Sequence, residues 1–389
     1  MVDLRELTED YIGFFPDTYI EREVELPATR DIVAVVGPRR AGKSFFLMIT
    51  AKKLLDEGKQ VIYLLMDDPE LKDTKVRDFA AEVRSVYPSG EVYLFLDEVQ
   101  EWRNWDWNLR WLHEVKDFRI FVSGSSYVLQ ETEVPSRLRG RFVSRLLLPF
   151  SFREVYRSGG SFREEGMARK VFREWMEWGG YPEVWLFRSR EKLVSIFKTM
   201  MIRDAVEKHS VRDLDLFERV AYFILENYGN LLSYRSVSRL LRYEGIEISV
   251  KTVANFVRYM KEAFMVFVVE RYSLSAREKL VSPKKIYLPD HGLIQLASKE
   301  DLDRKLENIV FLDLLRRGEE PMYYVTRDGK EIDFITKNHV IEVCVEPDKE
   351  HRRKLERARR ETGKKPLLVS LEGGRDSISL REFLLKKDL

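Results

Sequence analysis

A single cysteine, Cys344, occurs in the 389 residues, which excludes an internal disulfide and any multi-cysteine metal centre. No run of 18 apolar residues occurs, so no segment has the length and character of a membrane-spanning helix. Amide side chains are scarce, with four glutamines and seven asparagines, while 34% of residues are charged. That balance leans towards a thermophile. The first ten residues, MVDLRELTED, are acidic and lack the basic-then-apolar order of a signal peptide. The expectation is a soluble cytoplasmic protein without a membrane partner. Neither sign of charge dominates, the net charge being +2. Locally the balance shifts: residues 1–30 hold eight acids and three bases, and residues 351–365 hold eight bases and two acids. Such a basic run is either the solvated face of a helix or a nucleic-acid contact. Apolar residues make up 44%, enough for cores, but the chain is too long for one core alone.

Residues 31–36, DIVAVV, read as a strand buried on both faces of a parallel sheet. The loop Gly37-Pro38-Arg39-Arg40-Ala41-Gly42-Lys43-Ser44 follows, and a helical pattern begins at Phe45. Strand, glycine-rich loop and helix together make a P-loop. Its backbone N–H groups would cradle phosphates. Lys43 would reach the β- and γ-phosphates of ATP, and the Ser44 hydroxyl would ligate Mg²⁺. The P-loop residues Gly37 to Ser44, with Phe45, form the expected ATP/ADP site. A second apolar strand, VYLFLDEVQ (92–100), ends in two acids. Asp97 is expected to hold Mg²⁺ and Glu98 to activate the attacking water. A third strand, FRIFVSG (118–124), is expected between these two. It runs into Ser125, the expected γ-phosphate sensor, with Ser123 close behind. In SRLRGRFVSRLLLPFSF (136–152), Arg137, Arg139 and Arg141 stand together, and Arg141 is the candidate arginine finger, acting in cis or from a neighbour.

GPRRAGKS, FLDEVQ, SGSS, LRGR, LPFSFREV and GGYPEVW (179–185) occur in that order. The ordered set resembles archaeal and bacterial ATPases of the AAA+/STAND group that carry a C-terminal nuclease-like domain. The resemblance implies a helical lid after the core, with Pro182 beside the adenine. Helical patterns at 163–178 and 190–208 agree with a lid.

Residues 215–228 read as a helix, and LLSYRSVSRLLRYEG (231–245) and ISVKTVANFVRYMKEAFMV (248–266) each hold another, opening on Ser233 and Ser249 as N-caps. With the strands MVFVVERYS and KKIYLPD they suggest a winged helix. Its second recognition-type helix would present Lys251, Thr252, Asn255 and Arg258 to DNA. From residue 301 the order helix, strand, strand, strand, helix, strand resembles the PD-(D/E)xK nuclease fold. That resemblance implies a divalent metal on Glu307, Asp333 and Glu342. Cys344 stands where the motif has lysine, and Lys330 and Lys349 are the candidate substitutes.

The expected fold class is α/β: a P-loop parallel sheet flanked by helices (AAA+-like), a helical lid, a winged helix and a C-terminal α/β nuclease-like domain. The expected boundaries are 1–152, 153–212, 213–290 and 291–389. The expected function is an ATP-hydrolysing switch acting on DNA or a DNA-bound partner. An ATP-gated nuclease and a STAND-type scaffold are the alternatives. A homo-oligomer or protein partner is compatible with all three.

Overall fold

Short β-branched and aromatic runs, most of them followed by a helix, shape the first 147 residues. In the computed structural model, residues 4–13, 18–115, 117–124, 129, 135–159 and 165–387 are described. After helix α1 (Leu4–Gly13) come β1 (Ile32–Val36), α2 (Lys43–Asp56), β2 (Gln60–Leu65) and α3 (Val76–Val86). Strand β3 (Val92–Asp97), α4 (Trp105–Glu114), β4 (Phe118–Gly124) and β5 (Phe142–Leu146) complete this part. All five strands run parallel in the order β2-β3-β4-β1-β5. Every residue of β1 is buried, as a strand covered on both faces requires. Val33, Val35, Phe46, Leu47, Tyr63, Phe95 and Phe121 form one core cluster.

The chain divides into two compact units, Met1–Leu147 and Leu148–Leu389. The second unit begins with four helices: α5 (Phe152–Ser158), α6 (Glu165–Trp178), α7 (Pro182–Phe187) and α8 (Arg190–Thr199), which continues as π-helix over Met200–Glu207. Next come α9 (Leu214–Glu226), β6 (Leu231–Leu232), α10 (Tyr234–Tyr243), α11 (Val250–Glu262), β7 (Phe267–Val269), α12 (Ala276–Val281) and β8 (Lys284–Tyr287). Strands β6, β8 and β7 form an antiparallel sheet with β8 central. Ser233 and Ser249 do cap α10 and α11, each accepting a backbone N–H three residues on.

The last part contains α13 (Leu302–Arg316), β9 (Met322–Val325), β10 (Glu331–Ile335), β11 (His339–Cys344), α14 (Lys349–Thr362), β12 (Lys365–Ser370), β13 (Ile378–Ser379) and α15 (Leu380–Leu385). Its five strands lie in the order β13-β12-β11-β10-β9.

Candidate active site

The carboxyl ends of the parallel strands gather the polar groups of the first unit. Residues Val35 and Val36 of β1 stand opposite Ser123 and Gly124 of β4, and Leu96 of β3 stands opposite Val122. Strand β4 therefore lies between the P-loop strand and the Asp97 strand and brings Ser123 level with Asp97. Gly37 turns the chain off β1 at φ 150, and a Cβ there would lie 2.1 Å from the Leu147 carbonyl oxygen. No residue with a side chain fits so close to that backbone. Gly42 has φ 94 and opens α2, whose first residues are Lys43 and Ser44. The Lys43 ammonium is buried and donates to the Gly37 and Pro38 carbonyls, both at 3.1 Å. Arg22 donates to the Ala41 carbonyl at 2.9 Å and braces the loop from outside. Phe45 points outward, half exposed.

Asp97 is fully buried. Three hydroxyls converge on its carboxylate: Ser44, Ser123 and Tyr63, whose Oη donates at 3.0 Å. Burial pushes the Asp97 carboxyl up to about 6, against the Ser44 and Tyr63 hydrogen bonds and the Lys43 charge. Burial likewise raises the Tyr63 phenol, so it stays protonated and donates. A serine hydroxyl joined to a buried carboxylate, one residue from an ammonium group, fits the donor set a Mg²⁺–ATP complex needs. Glu98 has left-handed backbone dihedrals (φ 49), which turns the chain at the strand end. Its Oε2 accepts from Gln100 Nε2 at 2.5 Å. Tyr63 and Gln100 were not expected. Tyr63 sits on a neighbouring strand with no motif around it, whereas Gln100 stands two residues after Glu98 inside the quoted motif. Ser125 lies outside the described residues.

Arg141, expected to act in cis or from a neighbour, lies away from the P-loop of its own chain. It precedes β5, its carbonyl accepts from Ile32 N at 2.8 Å, and Ile32 pairs with Phe142. Arg141 thus stands at the amino end of the sheet, while the P-loop leaves the carboxyl end. Five residues of strand separate them by roughly 16 Å, beyond the reach of one arginine side chain. Arg137 is paired with Asp106 at 3.3 Å, and Arg139 is exposed.

In the second unit, Pro182 is the first residue of α7. Gly180 before it is locked in place: its N–H donates to Asp290 Oδ2 at 2.8 Å, and its carbonyl accepts from Phe150 N at 2.7 Å. Lys251 and Arg258 are exposed on α11 and Thr252 and Asn255 half-buried. Arg258 pairs with Glu262 at 3.2 Å, so it is partly neutralised. Exposed Arg235, Arg239 and Arg242 on α10 extend the basic surface.

Glu307 on α13, Asp333 on β10 and Glu342 on β11 do meet, but around lysines. Lys285 of β8 contacts Glu307, Glu331 and Asp333. Lys354 of α14 contacts Glu342. Tyr287 donates to Glu307, and Asp333 Oδ2 accepts from Val343 N at 2.8 Å. Lys330 is instead paired with Glu350 at 2.7 Å, and Lys349 is exposed. Burial, then Glu342, push the Cys344 thiol up to about 12, so it is no thiolate. Lys285 stands outside the expected sites, although the alternation of Lys285 and Tyr287 puts both on one face of the short strand β8.

Residues 29–156 match the model of a family described as an AAA domain. The match and the parallel-sheet fold support a P-loop ATPase. Residues 169–304 match a domain of unknown function, DUF8612. An uncharacterised protein of Methanocaldococcus jannaschii is 29% identical over 348 residues, which cover 84% of this chain and 78% of the relative. One from Haemophilus influenzae is 27% identical over 336 residues, covering 82% and 83%. Among solved structures, a Walker-type ATPase of Pyrococcus abyssi aligns with TM-score 0.40 and 15% identity, over 74% of this chain and 94% of that one. AMPPCP-bound DnaA from Aquifex aeolicus aligns with TM-score 0.30 and 13% identity, over 66% and 86%.

Proposed function

We propose that the chain is an ATP-dependent switch of the AAA+/STAND type, in which nucleotide at the P-loop sets how the second unit engages DNA or a DNA-bound partner. The observation that carries the ATPase part is the convergence of Ser44, Ser123 and Tyr63 on buried Asp97, beside Lys43. In this reading the Gly37–Ser44 backbone and Lys43 bind the ATP phosphates, and Ser44 and Asp97 hold Mg²⁺. Bound Mg²⁺ neutralises phosphate charge. Glu98, fixed by Gln100, takes the proton of the attacking water. Arg141 acts on a neighbouring subunit's site, since its own is out of reach, so the reading includes a homo-oligomer. Pro182 belongs to a lid, and ATP and ADP are its alternative ligands.

Lys43→Ala is the decisive variant. Steady-state phosphate release should fall to background; a variant that hydrolyses ATP at the wild-type rate would remove the proposal.

The DNA part is supported by the order helix, strand, helix, helix, strand, helix, strand over α9 to β8, which suits a winged helix with the short α12 inserted between its last two strands. Six bases against two acids over residues 233–261 support it further. Replacing Arg235 and Arg239 by Ala should weaken duplex binding and flatten its salt dependence by about 0.9 log units per lost phosphate contact. Binding that shows no salt dependence in the wild type would leave a protein partner as the target. The C-terminal acids enter no catalytic step here.

A further inference from the structure

The nuclease-like order of elements implies a divalent metal on Glu307, Asp333 and Glu342. A hard cation needs some six oxygen ligands free to face it. The structure allots most of those oxygens elsewhere. An ammonium group has three N–H donors, and Lys285 has three carboxylate partners: Glu307, Glu331 and Asp333. Its side chain is only 2% exposed, so this is an internal ion and not a surface pair. The strand carrying it is pinned on both sides, Lys285 standing opposite Leu231 of β6 and Val269 of β7. Glu307 also accepts from Tyr287, and Asp333 from the Val343 N–H. Lys354, reaching in from α14, takes Glu342. Among the described residues, no group of three or more His, Cys, Asp and Glu side chains is placed to hold a metal ion.

We infer that this acidic centre carries its cations as side chains: Lys285 occupies the place of the metal, Lys354 neutralises Glu342, and the centre binds no divalent ion. It works as an electrostatic clamp that ties β8 to α13 and β10, and β11 to α14. One oxygen, Glu342 Oε2, is buried without a hydrogen-bond partner. Lys285 and Tyr287 both meet Glu307 Oε1, so counting Glu307 Oε2 as well leaves two oxygens of the three acids, too few for a hard cation. The inference stands whether or not the ATPase reading holds.

The test is Mn²⁺ titration of the full-length, nucleotide-free protein, read by loss of the free-ion electron paramagnetic resonance signal. Wild type and Asp333→Asn should bind Mn²⁺ equally, any binding coming from elsewhere. Lys285→Ala should gain a site at least tenfold tighter than any in the wild type, and Lys285→Ala/Asp333→Asn should lose it. Circular dichroism checks folding, and Lys285→Met replaces Lys285→Ala if that variant fails to fold. Mn²⁺ bound by the wild type and lost in Asp333→Asn would overturn the inference. Folded Lys285 variants that gain no site would overturn it too, because Lys285 would then not hold the metal's place.

Discussion

Asp97 shows what one residue asks of its neighbours. A carboxylate taken wholly out of water must be hydrogen-bonded or it takes up a proton. Ser44, Ser123 and Tyr63 supply the donors, and only Ser44 belongs to the P-loop motif. Tyr63→Phe keeps the ring and removes one donor. A hydrogen bond to a charged group contributes about 1.5–3 kcal/mol, so ATP turnover should fall roughly tenfold or more while nucleotide affinity changes little. Phosphate-release kinetics beside a fluorescent-nucleotide titration would separate the two effects; unchanged turnover would mean the two serines suffice. Lys43, Ser44, Asp97 and Glu98 were legible because phosphate chemistry dictates both their types and their spacing from a strand end. Tyr63 was not, because parallel strands bring together residues 34 positions apart.

At the level of elements, the segment 179–182 owes its geometry to packing. A Cβ at Gly180 would sit 2.1 Å from the Phe150 carbonyl oxygen, and backbone cannot retreat as a side-chain tip can. Gly180→Ala should therefore destabilise the second unit by about 3 kcal/mol, the upper part of the range for overpacking. Urea unfolding followed by tryptophan fluorescence would measure it, and a loss under about 1 kcal/mol would show that the loop yields. The neighbouring Asp290-His291 turn predicts a pH effect. Burial, aided by Lys305 and Arg316, lowers the His291 imidazole to about 3, against its hydrogen bond to the Trp175 carbonyl. The unfolded chain takes up that proton near pH 6.5 and the folded protein does not. His291 thus stabilises the fold above pH 6.5, and the contribution drains away as pH falls towards 3. Asp290 acts oppositely. Burial, opposed by the Gly180 and Gly292 N–H groups, raises its carboxyl to about 6, so acidification through that value favours the folded state. The two partly cancel in the wild type. His291→Gln keeps a donor for Trp175 and removes the titration. Its stability relative to wild type should rise on acidification by up to about 1.4 kcal/mol per pH unit, measured by urea unfolding at pH 7.5, 6 and 5. A constant difference across that range would refute the assignment.

On the scale of the whole chain, residues 148–389 interleave elements far apart in sequence. Arg153 on α5 pairs with Asp313 on α13 at 2.7 Å and donates to the Leu384 carbonyl of α15. Arg317 holds the other Asp313 oxygen at 2.7 Å, and Arg316 donates to the Pro149 carbonyl at 2.8 Å. The segments expected as lid, winged helix and nuclease-like domain are therefore joined by buried ion pairs. Removing one partner of a buried ion pair costs about 3–5 kcal/mol. Asp313→Ala should lower the unfolding free energy of the second unit by that amount in a single transition. Separate transitions for the lid and the C-terminal sheet would show independent domains instead.

Some of this protein was determined by sequence alone. The P-loop, the strand-end acids, the serine N-caps and the helix-strand order from residue 301 to β12 follow from local chemistry: glycine dihedrals, hydrogen-bond caps and alternation of apolar residues. The short β13 and α15 were missed, being two and six residues long, too brief for a periodic signal. Only the tertiary structure decided which lysine meets which acid. Lys285 reaches Glu307 from a strand 22 positions away, and Lys354 reaches Glu342 from a helix. It also set Arg141 at the far end of its own sheet. Spacing along the chain cannot encode these facts, because strand register and helix docking alone bring such charges together or keep them apart.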